Sequence, residues 1–149
     1  MLDVKLSGGE IFDGSGGSTY TADIGLQDGH IVAIGDLSEA QTQQNVMLNG
    51  LAVCPGFVDL HTHSDFTLLV NGRAESQVHQ GVTTEVIGQC GHSCAPVARP
   101  GDARRGAIGY SDDCTVDMGW QSFGDYLDRL ESTALGVNVA AFVGHGAIH

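Results

Sequence analysis

The sequence predicts an α/β protein, a parallel sheet alternating with helices and entered through a separate β-rich segment over residues 1–52. Three observations lead to this class. Asp28-Gly29 lies between two stretches of alternating apolar residues, the mark of a tight β-hairpin. Apolar, β-branched runs follow at residues 57–60, 82–87 and 137–143. Between those runs lie stretches with helical features. Strand, helix, strand, helix, strand with apolar strands is the order of a parallel sheet.

Residues 1–52 read as short antiparallel strands. Val4 and Leu6 alternate before Gly8-Gly9, and Ile11 resumes before the turn cluster Asp13-Gly14-Ser15-Gly16-Gly17. That cluster resembles a phosphate loop in composition alone, because the Gly-Lys-Ser/Thr ending and a following helix are missing. Ile24 and Leu26 lead into Asp28-Gly29, and Ile31, Val32 and Ile34 return. Asp-Gly tolerates the positive φ angles of a type I′ turn.

A polar stretch, residues 41–45, precedes a change of pattern. Ala52-Val53-Cys54 and Phe57-Val58-Asp59-Leu60 form a nearly continuous apolar segment interrupted by Pro55-Gly56, which suggests a strand buried on both faces. Residues 75–80 read as a short helix ended by Gly81, and 82–87 as the next strand. Residues 93–119 lack a period and are rich in Gly, Asp and Arg, as expected of a long inserted loop. Ser122 with Asp125 three residues on forms a capping-box pattern. Phe123, Tyr126, Leu127 and Leu130 then give the helix its core face, Gly136 suits its exit, and 137–143 form a third strand ending at Gly144-His145-Gly146.

Charge and composition narrow the function classes. Eighteen acids against six bases give a net charge of −12, and Lys5 is the only lysine. Such a chain lacks the cationic stripe that nucleic acid requires and is discouraged from anionic membranes. Arg99, Arg104 and Arg105 sit among prolines and glycines and read as a solvated loop. The start lacks a basic segment followed by a long apolar one, so no signal peptide is expected, and no apolar run is long enough to span a bilayer. Four cysteines at irregular spacing do not make a disulfide framework, so a reducing cytoplasm is the expected location.

The sharpest chemical signal is His61-Thr62-His63 at the end of an apolar strand. Residues i and i+2 of a strand point to one face, so both imidazoles can converge on one ion. Cys90, just past the second strand, can meet them, because neighbouring strands lie about 4.8 Å apart and a thiolate is a strong zinc ligand. Its alternative fate is a buried structural cysteine. Asp65 reads equally as an imidazole-orienting carboxylate or as a loop carboxylate bonded to local backbone. His145, at the end of the third strand, reads as a substrate contact, a loop support or a core histidine. A local zinc knuckle from Cys90, His92 and Cys94 does not match the spacing of structural zinc motifs. His30 and His79 read as surface residues, and Cys54 and Cys114 have no evident partner.

Pro55-Gly56-Phe57-Val58-Asp59-Leu60-His61-Thr62-His63 resembles the first barrel strand of the metal-dependent amidohydrolase superfamily. The 22–35 hairpin resembles the small β-sandwich those enzymes carry before the barrel. The segments from Gln80 to Gly91 and from Asn138 to His145 are similar to the N-acyl-D-amino-acid deacylase (D-aminoacylase) branch. The resemblance implies an incomplete (β/α)8 TIM-type barrel over residues 53–149, with about three strands present, behind a β-sandwich segment over 1–52. It also implies zinc as cofactor and an N-acyl-D-amino acid as small-molecule substrate, hydrolysed at its linear amide. His61 and His63 would help build a weaker metal position, and Cys90 would serve the tight one in place of the carboxylated lysine of relatives. The branch's remaining histidines and its general base belong to later strands, so the chain is expected to be an N-terminal part, inactive alone. His149 stands where the branch usually has arginine. A cyclic amidohydrolase of dihydroorotase or hydantoinase type, and a non-catalytic β-rich module with structural histidines, are the alternatives; Cys90 counts against the first.

Overall fold

In the computed structural model, which describes residues 1–105 and 116–149, strand β1 (Leu2–Ile11) organises the chain before Gly56. Its inward residues alternate, with Lys5, Ser7, Gly9 and Ile11 buried. β1 pairs antiparallel with β2 (Tyr20–Gln27), and β2 pairs antiparallel with β3 (His30–Gly35). Asp28 and Gly29 join β2 to β3 with φ angles of 50° and 75°, as a type I′ turn requires.

The other edge of β1 corrects the all-antiparallel expectation. β4 (Thr42–Met47) and β5 (Ala52–Val53) both run parallel to β1, beside its first and second halves. The polar stretch 41–45, for which the sequence predicts no strand, thus supplies most of β4. An edge strand with three consecutive exposed residues needs no apolar alternation, and backbone pairing with Leu2–Ser7 decides its conformation. Ser7 Oγ donates to Asn45 Oδ1 at 2.8 Å and ties the side chains across that pair.

Two compact units result, Met1–Pro55 and Gly56–His149, and Pro55-Gly56 marks their junction. The apolar run from Ala52 to Leu60 is therefore not one strand. Ala52–Val53 belongs to the first sheet, and Phe57–Asp59 is β6, an edge of a second. Nor is β6 buried on both faces: Phe57 and Val58, successive residues that point to opposite faces, are 57% and 54% exposed.

The second unit carries a three-stranded parallel sheet in the order β6, β7 (Val82–Ile87), β8 (Asn138–Ala141). Short helices α1 (Thr67–Val70) and α2 (Glu75–Val78) connect β6 to β7. α3 (Phe123–Glu131) precedes β8, and α4 (His145–Ile148) follows it. Ser122 caps α3, and Asp125 completes the capping box with its own carboxylate on the Ser122 N–H. Tyr126 and Leu130 are buried and Phe123 is half-buried, but Leu127 is 40% exposed, against expectation. Positions 123, 126 and 130 already make a complete stripe, and 127 falls about 100° round from 126. Gly136 is not the exit of α3, which ends at Glu131; a Cβ there would lie 2.3 Å from the Arg73 carbonyl oxygen. The third strand is shorter than the expected 137–143, although the Phe142 N–H still donates to Ile87 O at 3.0 Å.

The described part of the 93–119 insertion is packed. Cys94, Ala95, Ala103 and Met118 join Phe66, Leu69, Ile87, Trp120 and Tyr126 in one core. Trp120 Nε1 donates to Cys94 O at 2.8 Å, and Val97 N to Gln121 O at 2.9 Å, so the two arms of the insertion hold each other. Arg99 is exposed beside Asp102 at 3.3 Å, as a solvated loop predicts. Cys114 lies outside the described residues. Among those described, no helix is long and apolar enough to cross a membrane.

Candidate metal centre

The segment after β6 stays against β7 although its regular strand ends at Asp59. Thr62 N–H donates to Val86 O at 3.2 Å, and Gln89 Nε2 donates to Leu60 O at 2.9 Å and Val86 O at 3.3 Å. Gln89 is thus a cross-strand clip that sequence reasoning missed; its position next to Cys90 was the available signal. Asp59 Oδ1 accepts from the His61 N–H at 3.1 Å and sets the backbone where the histidines begin.

Beyond β7 the chain turns sharply through Gly88, at φ +79°, Cys90, at φ +54°, and Gly91, at φ +80°. A cysteine in the left-handed region is uncommon and strained, and such strain concentrates where a side chain must be aimed. Here it aims the thiol at the histidines. His61 Nε2 lies 3.1 Å from Cys90 Sγ, and the His61 and His63 rings meet edge-on with centroids 5.5 Å apart. One donor atom from each of His61, His63 and Cys90 falls within 4.8 Å of the others, the one such group among the described residues. His63 Nδ1 is buried with no hydrogen-bonding partner among them.

Asp65 lies within electrostatic reach of His63 and His92. It is buried, its Oδ1 has no described partner, and burial pushes its carboxyl above the usual range, against the pull of the Gly88 N–H and of His63 and His92. Its backbone carbonyl accepts from Tyr126 Oη at 2.7 Å, which anchors the segment to α3. Asp65 therefore faces His63 electrostatically without a direct hydrogen bond to it.

His145 is exposed at the start of α4, its ring 4.6 Å from that of His149. It is neither a core histidine nor a member of the three-donor group. It shares with Cys90, His92, Ser93, Asp102 and Ala103 the lining of a cavity of about 620 Å³. The knuckle from Cys90, His92 and Cys94 does not form: Cys94 is fully buried in the core, and burial raises its thiol to about 12. His30 and His79 are exposed.

A parallel sheet that ends in a His-X-His pair facing a cysteine is suited to holding a metal ion. The amidohydrolase family model matches residues 45–149, and the chain belongs to that family. Deacylases are among the proteins it resembles. The D-aminoacylase of Alcaligenes xylosoxydans xylosoxydans is 40% identical over 151 residues, covering 99% of this chain and 30% of that enzyme. A crystal structure of D-aminoacylase superposes with a TM-score of 0.83 at 35% identity, covering 99% of this chain and 31% of the other. The N-acyl-D-glutamate deacylase of Bordetella bronchiseptica, solved with zinc and a phosphonate mimic of the tetrahedral intermediate, gives 0.79 at 35% identity, covering 99% and 30%. The chain thus spans about 30% of the length of these relatives.

Proposed function

We propose that residues 1–149 supply the N-terminal, metal-binding part of a zinc-dependent deacylase. The enzyme would hydrolyse the linear amide of N-acyl-D-amino acids to a carboxylate and a free D-amino acid. The observation that carries this reading is the gathering of His61, His63 and Cys90 donor atoms within 4.8 Å. In this reading the second sheet is the beginning of a (β/α)8 barrel and the first is part of a small β-sandwich, with residues outside 1–149 completing both the barrel and the catalytic set. The exposed thiols of Cys54 and Cys90 suit a reducing cytoplasm.

The residues fit zinc. Imidazole nitrogen and thiolate sulfur are its preferred donors, and bond lengths of about 2.0–2.3 Å put tetrahedral ligands some 3.3–3.6 Å apart. The 3.1 Å between His61 Nε2 and Cys90 Sγ falls just inside that spacing and the 4.8 Å span of the whole group just outside it, so small side-chain shifts would bring all three onto one ion, and the unpartnered His63 Nδ1 leaves that ring without a competing bond there. Zinc so held supplies Lewis-acid polarisation of an amide carbonyl and a nucleophilic water at neutral pH. The chain's own contribution is positional. Asp59 and Gln89 fix the histidine-bearing backbone, and the Gly88–Gly91 turn points the thiol toward it.

The test is Cys90→Ala in the full-length protein, with zinc content and hydrolysis of an N-acetyl-D-amino acid both measured. Turnover should fall by more than the about 10–100-fold typical of losing an outer-shell partner, together with bound zinc. Unchanged zinc and unchanged turnover would sink the proposal.

A further inference from the structure

Behind the histidine pair lies a carboxylate that the reading above does not use. Glu85, in the middle of β7, is 0% exposed. Its Oε2 accepts from Thr62 Oγ1 at 3.1 Å and from Ser64 Oγ, and those two hydroxyls lie 2.6 Å from each other. Its Oε1 has no hydrogen-bonding partner among the described residues. Thr62 and Ser64 flank His63, and burial alternates along the segment: His61 exposed, Thr62 buried, His63 half-buried, Ser64 buried. The hydroxyl-bearing side chains thus go inward to Glu85 while the imidazoles gather with Cys90.

An ionisable, half-satisfied side chain is a poor choice for stability at such a place, where leucine or methionine would fill the volume without desolvating a carboxylate. What Glu85 does supply is a directional hold on both sides of one histidine. We propose that Glu85 is a positioning residue of the metal centre: through Thr62 and Ser64 it fixes the backbone of His63, so that both imidazoles stay turned toward Cys90. This rests on the reading of His61, His63 and Cys90 as zinc ligands.

The experiment uses the full-length protein, stripped of metal, with zinc affinity measured by chelator competition and the centre's geometry by the thiolate and ligand-field absorption of the cobalt-substituted form. Glu85→Leu should weaken zinc binding about 10–100-fold, the usual effect of losing an outer-shell partner, and shift the cobalt spectrum. Glu85→Gln keeps an acceptor oxygen for both hydroxyls and should restore most of the affinity. Ile87→Val, a core truncation on the same strand, should lower the melting temperature and leave the spectrum in place; an equal spectral shift in that variant would reduce Glu85 to a packing role. If Glu85→Leu does not fold, the paired change Thr62→Val and Ser64→Ala removes the same bonds from the other side. Wild-type affinity and spectrum in a folded Glu85→Leu or in that pair would overturn the proposal while leaving the metal centre standing. Failure of the wild type to bind zinc at all would remove both.

Discussion

Cys90 and Cys94 are four residues apart and sit in opposite environments. Cys90 is exposed beside His61, whereas Cys94 is fully buried beneath Trp120, with burial raising its thiol to about 12. The thiolate is the reacting form, so the two should separate cleanly under an alkylating reagent. At mildly alkaline pH, Cys54 and Cys90 should be modified while Cys94 is spared, and added zinc should protect Cys90 but not Cys54. Peptide mass mapping with and without zinc reads this directly; equal labelling of Cys90 in both conditions would contradict a metal at that thiol. The spacing His61-Thr62-His63 was legible in the sequence because i and i+2 are local. The separation of Cys90 from Cys94 was not, since it depends on Trp120 and the rest of a core drawn from distant segments.

The turn after β7 carries the most demanding geometry of any element near the site. A Cβ on Gly88 would lie 2.0 Å from the Phe142 carbonyl oxygen, and the residue's φ of +79° independently disfavours a side chain. Gly88→Ala should therefore push the end of β8 away from β7 and displace Cys90 with it. The expected loss is on the order of 1–3 kcal/mol of stability from the backbone alone, with weakened zinc binding. Thermal unfolding and zinc titration of the full-length variant check both, and a variant with native melting temperature and native affinity would refute the argument. Element signals of this kind divide by range. The Asp28-Gly29 turn and the Ser122/Asp125 capping box were readable because their partners lie within a few residues. β4 was not, since its pairing with β1 joins residues about forty apart and leaves no apolar pattern behind.

At the scale of the whole chain, the second sheet has, among the described residues, open edges at β6 and β8, and Phe57, Val58, Leu60, Phe142 and Val143 are exposed around it. Unpaired strand edges flanked by apolar side chains invite association with other chains. The isolated 149-residue chain should accordingly self-associate in light scattering and show no turnover of an N-acetyl-D-amino acid, whereas the full-length protein should turn that substrate over. Measurable turnover by the isolated chain would overturn the division of labour proposed for it. The three strands of the second unit, its capped helix before the third, and the hairpin of the first unit were legible in the sequence alone, because turn chemistry, capping and side-chain alternation act between near neighbours; the short helices Thr67–Val70 and His145–Ile148 were not. Tertiary structure alone decided that the run from Ala52 to Leu60 splits between two sheets, that β4 and β5 lie parallel to β1, and that Glu85 meets the hydroxyls of Thr62 and Ser64 on either side of His63. Those outcomes are set by which distant segments pair and exclude water, and no local pattern encodes that choice.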